Sequence, residues 1–389
     1  MRRGLRDVFE SGRFDEYQFA KYSGGDAKKD FRLKDILFLA RPRARSEEQK
    51  ELFRKIANSQ LRAAETWNKT QMDVARKAKE EGATAERKEE MKLEGWLGQI
   101  ENRTIGHMAL LRNLVNILKL KPTEEQVERV VAELTRVADR GKQFPFRYWS
   151  AYKALRGIQK DYNYLRMKPP VQLDRFIENK VISGLNFALK KSVQSLPRFE
   201  GRTLVACDVS GSMIEPISEK SDVWNFDVGL VLGVVLKKAL KDNAIFGIFG
   251  TSFEVIGDVG SPLGTIEGMY RDMNKRVGTG TEGWKVIDWL LTTGTRVDNV
   301  MVFTDCQVYG SKAGYSRGRL MEEKWKEYRK AHPSAKMYLF DLSGYGNVPI
   351  EIDRNNVVYV AGFSDKVFDA VRHMQEGGTA VDMIRGYTK

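Results

Sequence analysis

RTLVACDVSGSM (202–213) is the stretch that decides the fold. Its first half is a short apolar run that ends abruptly on a carboxylate. A run of that length, rich in β-branched residues and bounded by turn formers, reads as a strand buried on both faces. Asp208 then stands at the strand's carboxyl end. Ser210 and Ser212 are two apart on an extended loop and point to one side, and Gly211 allows the tight turn between them. A carboxylate with two hydroxyls is an all-oxygen donor set, suited to Mg²⁺ or another divalent cation. The competing reading is an Asx turn that caps the next helix.

Downstream, apolar runs alternate with amphipathic ones. AIFGIFG (244–250), FEVIG (253–257), NVMVFTD (299–305), AKMYLFDL (335–342) and NVVYVAG (356–362) read as strands. Residues 224–240, 283–291, 322–331 and 365–375 read as helices. Strand–helix alternation with continuous apolar strands predicts a mostly parallel, doubly wound α/β sheet. Such sheets carry their ligand site beyond the carboxyl ends of the strands. Asp305 ends a strand expected beside the first one. Thr281 lies in the Gly-rich GTGTEG loop before a helix, with Thr279 as its competitor in register. The expected metal set is Asp208, Ser210, Ser212, Thr281 and Asp305.

Upstream of residue 198 the texture is helical. FRLKDILFLA (31–40), the spacing of Leu52, Phe53 and Ile56, and MALLRNLVNILKL (108–120) are amphipathic. Thr123 and Gln126 form a capping box after Pro122, Pro145 opens another helix, and a further one spans about 173–195. Residues 69–94 are highly charged, either a solvated helix broken at Gly82 or a connector. No period-2 strand is evident in 1–195, which predicts an all-α half with about seven or eight helices, compatible with stacked helical hairpins. The expected domains are 1–198 and 199–389.

Charge follows the same division. Of 65 Lys and Arg and 52 Asp and Glu in 389 residues, about 42 and 28 fall before residue 200, so the net charge of +13 belongs to the helical half. An excess on that scale points to a polyanionic partner. From 142 to 168, Lys142, Arg147, Lys153, Arg156, Lys160, Arg166 and Lys168 face only Asp161, with Phe146, Tyr148, Trp149, Tyr152, Tyr162 and Tyr164 among them. Cations bind phosphates and aromatics stack on unpaired bases, although most of these aromatics are expected in the core. Two cysteines exclude a disulfide framework and a Cys-based zinc site, and three scattered histidines leave little room for His-based catalysis. No apolar run approaches a membrane span and the first residues lack a signal-peptide core, so the expectation is a cytoplasmic protein with no membrane contact. A haloacid-type phosphatase needs D-x-D where this chain has Asp208-Val209-Ser210, and no Walker loop is present, so no enzymatic activity is expected.

The DxSxS…T…D pattern of 208–305 resembles the metal-ion-dependent adhesion site of von Willebrand factor A domains, covering about 199–389. That resemblance implies Ser210, Ser212 and Thr281 as direct or water-bridged ligands with Asp208 and Asp305 close by, and a protein ligand at the ion. AKYSG…LKDILFLARP (20–42), MALLRNL (108–114) and FPFRYWSAYKAL (144–155) resemble the TROVE module of the Ro autoantigen family, in which a TROVE module precedes an A domain. The resemblance implies HEAT-like helical repeats and binding of small noncoding Y-like RNAs and single-stranded ends of misfolded RNAs.

Carried over residue by residue, it assigns RNA contact to Lys21 and to Arg41, with Lys28 or Lys29 standing in for a further arginine. It also marks Arg112 and Arg147, for which a helix-packing ion pair is an equal alternative. Lys153 and Arg156 join them from the basic run. About 200 residues precede the sheet here, fewer than in Ro proteins. A ring therefore needs several chains or a smaller circle, or stays open. The leading expectation is an RNA-binding ribonucleoprotein scaffold with a Mg²⁺-holding A domain. The alternative is a metal-dependent protein-interaction module with the helices as platform.

Overall fold

The computed structural model describes residues 2–23, 32–61, 67–136, 138, 143–159, 166–167, 173–193, 200–218, 221–307, 314–346, 349–351, 356–362 and 371–378. The chain divides into two compact units, residues 1–105 and 106–389.

The first unit is helical: α1 (Arg2–Glu10), α2 (Glu16–Ser23), α3 (Leu33–Ala40), α4 (Glu47–Ala57), α5 (Trp67–Glu80) and α6 (Ala85–Glu101). Phe9, Phe19, Leu37, Ala40 and Ile56 make a small core, with the Phe9 and Phe19 rings stacked at 5.3 Å. The charged stretch 69–94 is the broken helix of the two readings. Gly82 sits at φ +63°, where a side chain would be strained, and separates α5 from α6. The two helices pack together with Trp67 stacked on Trp96.

The second unit begins with α7 (His107–Leu118), α8 (Glu124–Arg136), α9 (Pro145–Arg156) and α10 (Arg175–Val193). The capping box forms as its residues dictate: Thr123 N–H donates to Gln126 Oε1 at 2.8 Å, and Gln126 N–H to Thr123 Oγ1 at 3.4 Å. One expectation is corrected. Residues 158–159 and 166–167 pair as a two-stranded antiparallel ribbon, β1 and β2, so the region is not purely helical. Two residues per strand are too few for period-2 alternation to register, and the ribbon follows a left-handed Gly157 that stops α9 at φ +68°. Among the described residues ten helices precede the sheet rather than about seven or eight, the short α1 and α2 among them.

The sheet has the order β5-β4-β3-β6-β7-β8, with β3 (Thr203–Asp208), β4 (Ala244–Phe249), β5 (Phe253–Ile256), β6 (Asn299–Thr304), β7 (Lys336–Asp341) and β8 (Val357–Ala361). All neighbours are parallel except β5, a hairpin partner of β4. Strand side chains alternate between two buried faces. Leu204, Ala206, Val300, Val302, Met337 and Leu339 face the cluster built with α13 (Trp284–Thr293) and α14 (Gly314–Ala331). The other face receives α11 (Asn225–Leu240), buried along Asn225–Leu236. Gly233 permits that contact, since a Cβ there would stand 2.3 Å from the Phe246 ring. The sequence reading passes over α12 (Pro262–Val277), whose Ser261 cap and first-turn Pro262 are legible but whose Gly264 and Gly268 lower helix propensity. The helix expected at 365–375 is present over 371–375, and 365–370 lie outside the described residues.

The chain passes from β3 to β4 and β5 on one side, then crosses to β6 on the other. The carboxyl ends of β3 and β6 therefore flank the switch point of the sheet. Compactness does not follow the joint near 198. Helix α9 packs on α11, and α10 on α8 and α9, so residues 106–193 belong to the same body as the sheet.

Candidate metal centre and nucleic-acid interface

Asp208 and Asp305 both lie fully buried at the switch point. The Asp208 carboxylate is held from two sides: Ser210 N–H donates to Oδ1 at 2.9 Å, and Thr304 Oγ1 donates to Oδ2 at 2.7 Å. Thr304 was not singled out from sequence, although its place one residue before Asp305 at the end of a strand beside β3 is a usable signal. The Ser210 and Ser212 hydroxyls stand 3.2 Å apart, as the one-sided loop geometry predicts. Gly211 N–H donates to the Thr279 carbonyl at 3.1 Å, which brings the 278–283 loop against the serine loop. The Thr279 side chain is exposed, whereas Thr281 is half-buried.

Asp305 differs from its neighbours. Its Oδ1 accepts Gln307 N–H at 2.9 Å. The Ser212 hydroxyl is near the carboxyl, yet Oδ2 is buried and accepts no hydrogen bond of good geometry. Asp341, at the end of β7, shows the contrast: it is buried too, but Ser343, Gly344 and Gly346 N–H groups and the Tyr359 hydroxyl all donate to it. Burial, with the charge of Asp305, pushes the Asp208 carboxyl up to about 7. Burial also raises Asp305, against the Gln307 N–H. Two buried carboxyls that resist ionisation, one with an unsatisfied oxygen, with two hydroxyls adjoining, are an electrostatic environment that a divalent cation relieves. Among the described residues no three His, Cys, Asp or Glu side chains gather as a metal cage, so hydroxyls must supply part of any coordination here.

The residues expected to touch RNA are placed unequally. Lys28 and Lys29 lie outside the described residues, as does the side chain of Lys21 on α2. Arg41 is exposed just after α3, in the left-handed region at φ 48°. Arg112 on α7 is exposed, and Arg147 on α9 is half-buried with its guanidinium 5.0 Å from the Phe146 ring centroid. Burial, and after it the charge of Arg112, push Arg147 below its ordinary value. Neither has a carboxylate partner among the described residues; the helix-packing ion pair that was their alternative is not found there.

Lys153 is a correction. It is 2% exposed, its Nζ lies 3.0 Å from Asp227 Oδ2 and 2.7 Å from the Asp222 carbonyl, and it sits over the Trp224 ring at 4.4 Å. A lysine enclosed in this way meets no phosphate. Instead it locks α9 to α11, with Trp149 Nε1 donating to the other Asp227 oxygen at 2.6 Å. Arg156 is likewise engaged, bonding Glu178 on α10 at 2.6 Å and Glu267 on α12 at 3.3 Å. Helical spacing could not separate these two from the surface cations, because their partners lie 22 to 111 residues away. Phe146, Tyr148, Trp149 and Tyr152 are buried, as expected of most aromatics in this run.

Residues 88–210 match the family model described as TROVE domain. The match runs from α6 through the four helices α7–α10 to Ser210. Among solved structures, the Ro (RSR) protein of Deinococcus radiodurans shares the fold, with a TM-score of 0.58 and 16% identity over 97% of this chain and 77% of that one. No curated protein matches the chain by sequence. Among the described residues no helix is long and apolar enough to cross a membrane. Residues 88–210 are thus similar to the TROVE domain, and the chain shares its fold with a Ro protein.

Proposed function

We propose that this chain is a non-catalytic, cytoplasmic RNA-binding protein. It would serve as a Ro-like scaffold for small noncoding or misfolded RNA, with HEAT-like helices in 1–198 as the RNA-binding part and an A-type domain in 199–389. The observation that carries this reading is the Arg112–Arg147 pair. Arg112 and Arg147 stand on two helices that pack together, α7 and α9, without a carboxylate partner among the described residues, and phosphate accepts the planar fork of arginine from two directions. The surplus positive charge of the first half supports the same partner. The experiment is filter binding of a single-stranded RNA to the full chain at low salt. Arg112→Glu with Arg147→Glu lowers affinity at least tenfold and leaves the melting temperature in place. Unchanged affinity removes this surface from the account.

The switch point is the proposed site for Mg²⁺ or a similar divalent ion. Asp305 Oδ2, Ser210 Oγ and Ser212 Oγ offer oxygens, and Thr281 is the favoured threonine because Thr279 turns its side chain to solvent. Asp208, both of whose oxygens already accept donors, fits a role through bound water. Such an ion supplies an open position to a carboxylate of a protein partner. The alternative function, a metal-dependent protein-interaction module with the helices as platform, draws on this same centre. It predicts Mg²⁺-dependent protein capture and no affinity for RNA. Closure of a ring by several copies is tested by the mass of the protein in solution.

A further inference from the structure

Helix α10 carries a surface that the sequence motifs do not mark. Phe176 and Phe187 are 53% and 51% exposed, large apolar rings left in water on a helix otherwise well packed. They are 11 residues apart, three turns, so they lie on one line of the helix about 16 Å from each other. Asn179, Lys180, Ser183, Lys190 and Lys191 fall along the same stripe. Each ring has a lysine one turn on: Lys180 Nζ is 4.9 Å from the Phe176 centroid, and Lys191 Nζ is 5.7 Å from that of Phe187. The opposite face, with Val181, Leu185, Ala188 and Leu189, is fully buried, and Gly184 admits Val131 of α8 so closely that a Cβ would meet it at 2.6 Å. The stripe is therefore rigidly presented.

The two ends are not equivalent. Lys180 is committed to Glu124 and Glu128 of α8. Lys190 and Lys191 have no carboxylate partner among the described residues. Charge and exposed ring thus coincide at the Phe187 end.

We propose that this face of α10 binds single-stranded RNA, with an unpaired base stacked on Phe187, a second on Phe176, and the phosphates beside the Phe187 base held by Lys190 and Lys191. An exposed ring beside uncompensated cations is the arrangement that unpaired bases recognise, because every base has a stacking face and every linkage a charge. The span between the rings accommodates a few nucleotides of extended strand. A duplex, whose bases are already stacked, gains nothing from the rings. The inference rests on the RNA-binding reading above and adds to it a second surface, on α10, and the residues through which unpaired bases would be held there.

The test uses the full chain with a fluorescein-labelled 12-nucleotide single-stranded RNA and a blunt RNA duplex of the same length, read by anisotropy. Phe176→Ala with Phe187→Ala weakens the single-strand complex by roughly tenfold and changes duplex affinity less than twofold, with Phe187→Trp restoring single-strand binding. Lys190→Gln with Lys191→Gln weakens both ligands and lessens their salt dependence. If the wild-type chain binds neither RNA, the RNA-binding reading falls. If it binds but the alanine variant binds the single strand as well as before, this inference alone falls. A variant that instead changes the oligomeric state, with RNA affinity intact, identifies the face as a contact between copies and overturns it as well.

Discussion

Asp227 gathers Lys153, Trp149 and the Trp224 backbone N–H around one buried carboxylate, and this is where cation and polyanion arguments part. From sequence, Lys153 resembled its basic neighbours. Only a fold that brings residue 227 to residue 153 distinguishes them. Lys153→Ala strands a buried charge, so we expect a loss of roughly 3–5 kcal/mol in denaturant unfolding, whereas Arg112→Ala should cost little. His107 offers a pH test. Burial lowers its pKa to about 4, and its Nε2 lies 2.9 Å from the Tyr148 hydroxyl. The unfolded chain takes up a proton below pH ~6.5 while the folded one does not until about pH 4. Stability is therefore lost as pH falls through that window, and His107→Phe should show a flatter slope there in melting experiments. At the switch point, saturating Mg²⁺ should raise the melting temperature of the wild type by the linkage of ligand to the folded state. Asp305→Ala should abolish that rise, and Asp208→Ala should do so while leaving RNA affinity nearly unchanged.

At the scale of elements, the strands were legible because buried parallel strands are written as unbroken apolar runs with abrupt polar ends. The loops at the switch point of the sheet were legible because Asp, Ser and Gly punctuate those ends. Helix α12 was hidden by its glycines, and the β1–β2 ribbon by its brevity. The exposed rings of α10 were hidden for a different reason: a helical pattern shows which face is apolar, but not that two phenylalanines lie off that face. Close helix contacts depend on residues whose role is likewise invisible before packing. Gly184→Ala drives a methyl against Val131, and Gly233→Ala drives one into Phe246 and within 2.9 Å of Cys207 Sγ. Overpacking of this kind costs on the order of 1–3 kcal/mol. We expect the second change to be the worse, since an aromatic ring between sheet and helix yields less than a valine methyl. Thermal melts of the two variants decide the order.

For the whole molecule, the change of texture near 198 marks a change of architecture but not a division of stability. Helices α7–α10 share their core with α11 and α12 through Trp149, Lys153, Tyr152 and Arg156. A cut at 198 should therefore yield two poorly soluble fragments, while a cut at 105 should leave a folded 106–389 with a cooperative melt. The asymmetry of charge remains the most far-reaching property of the chain. If cationic helices grip RNA backbones, binding is governed by release of counterions, with a log–log slope against salt near −0.7 for each phosphate neutralised on a single strand. The most direct measurement is the affinity of the full chain for a single-stranded RNA across a salt series, with and without Mg²⁺. The account predicts tight binding at low salt, a slope of about −2 or steeper, and little response to Mg²⁺ beyond its ionic strength. Failure to bind at the lowest salt, or affinity that ignores salt, would contradict it.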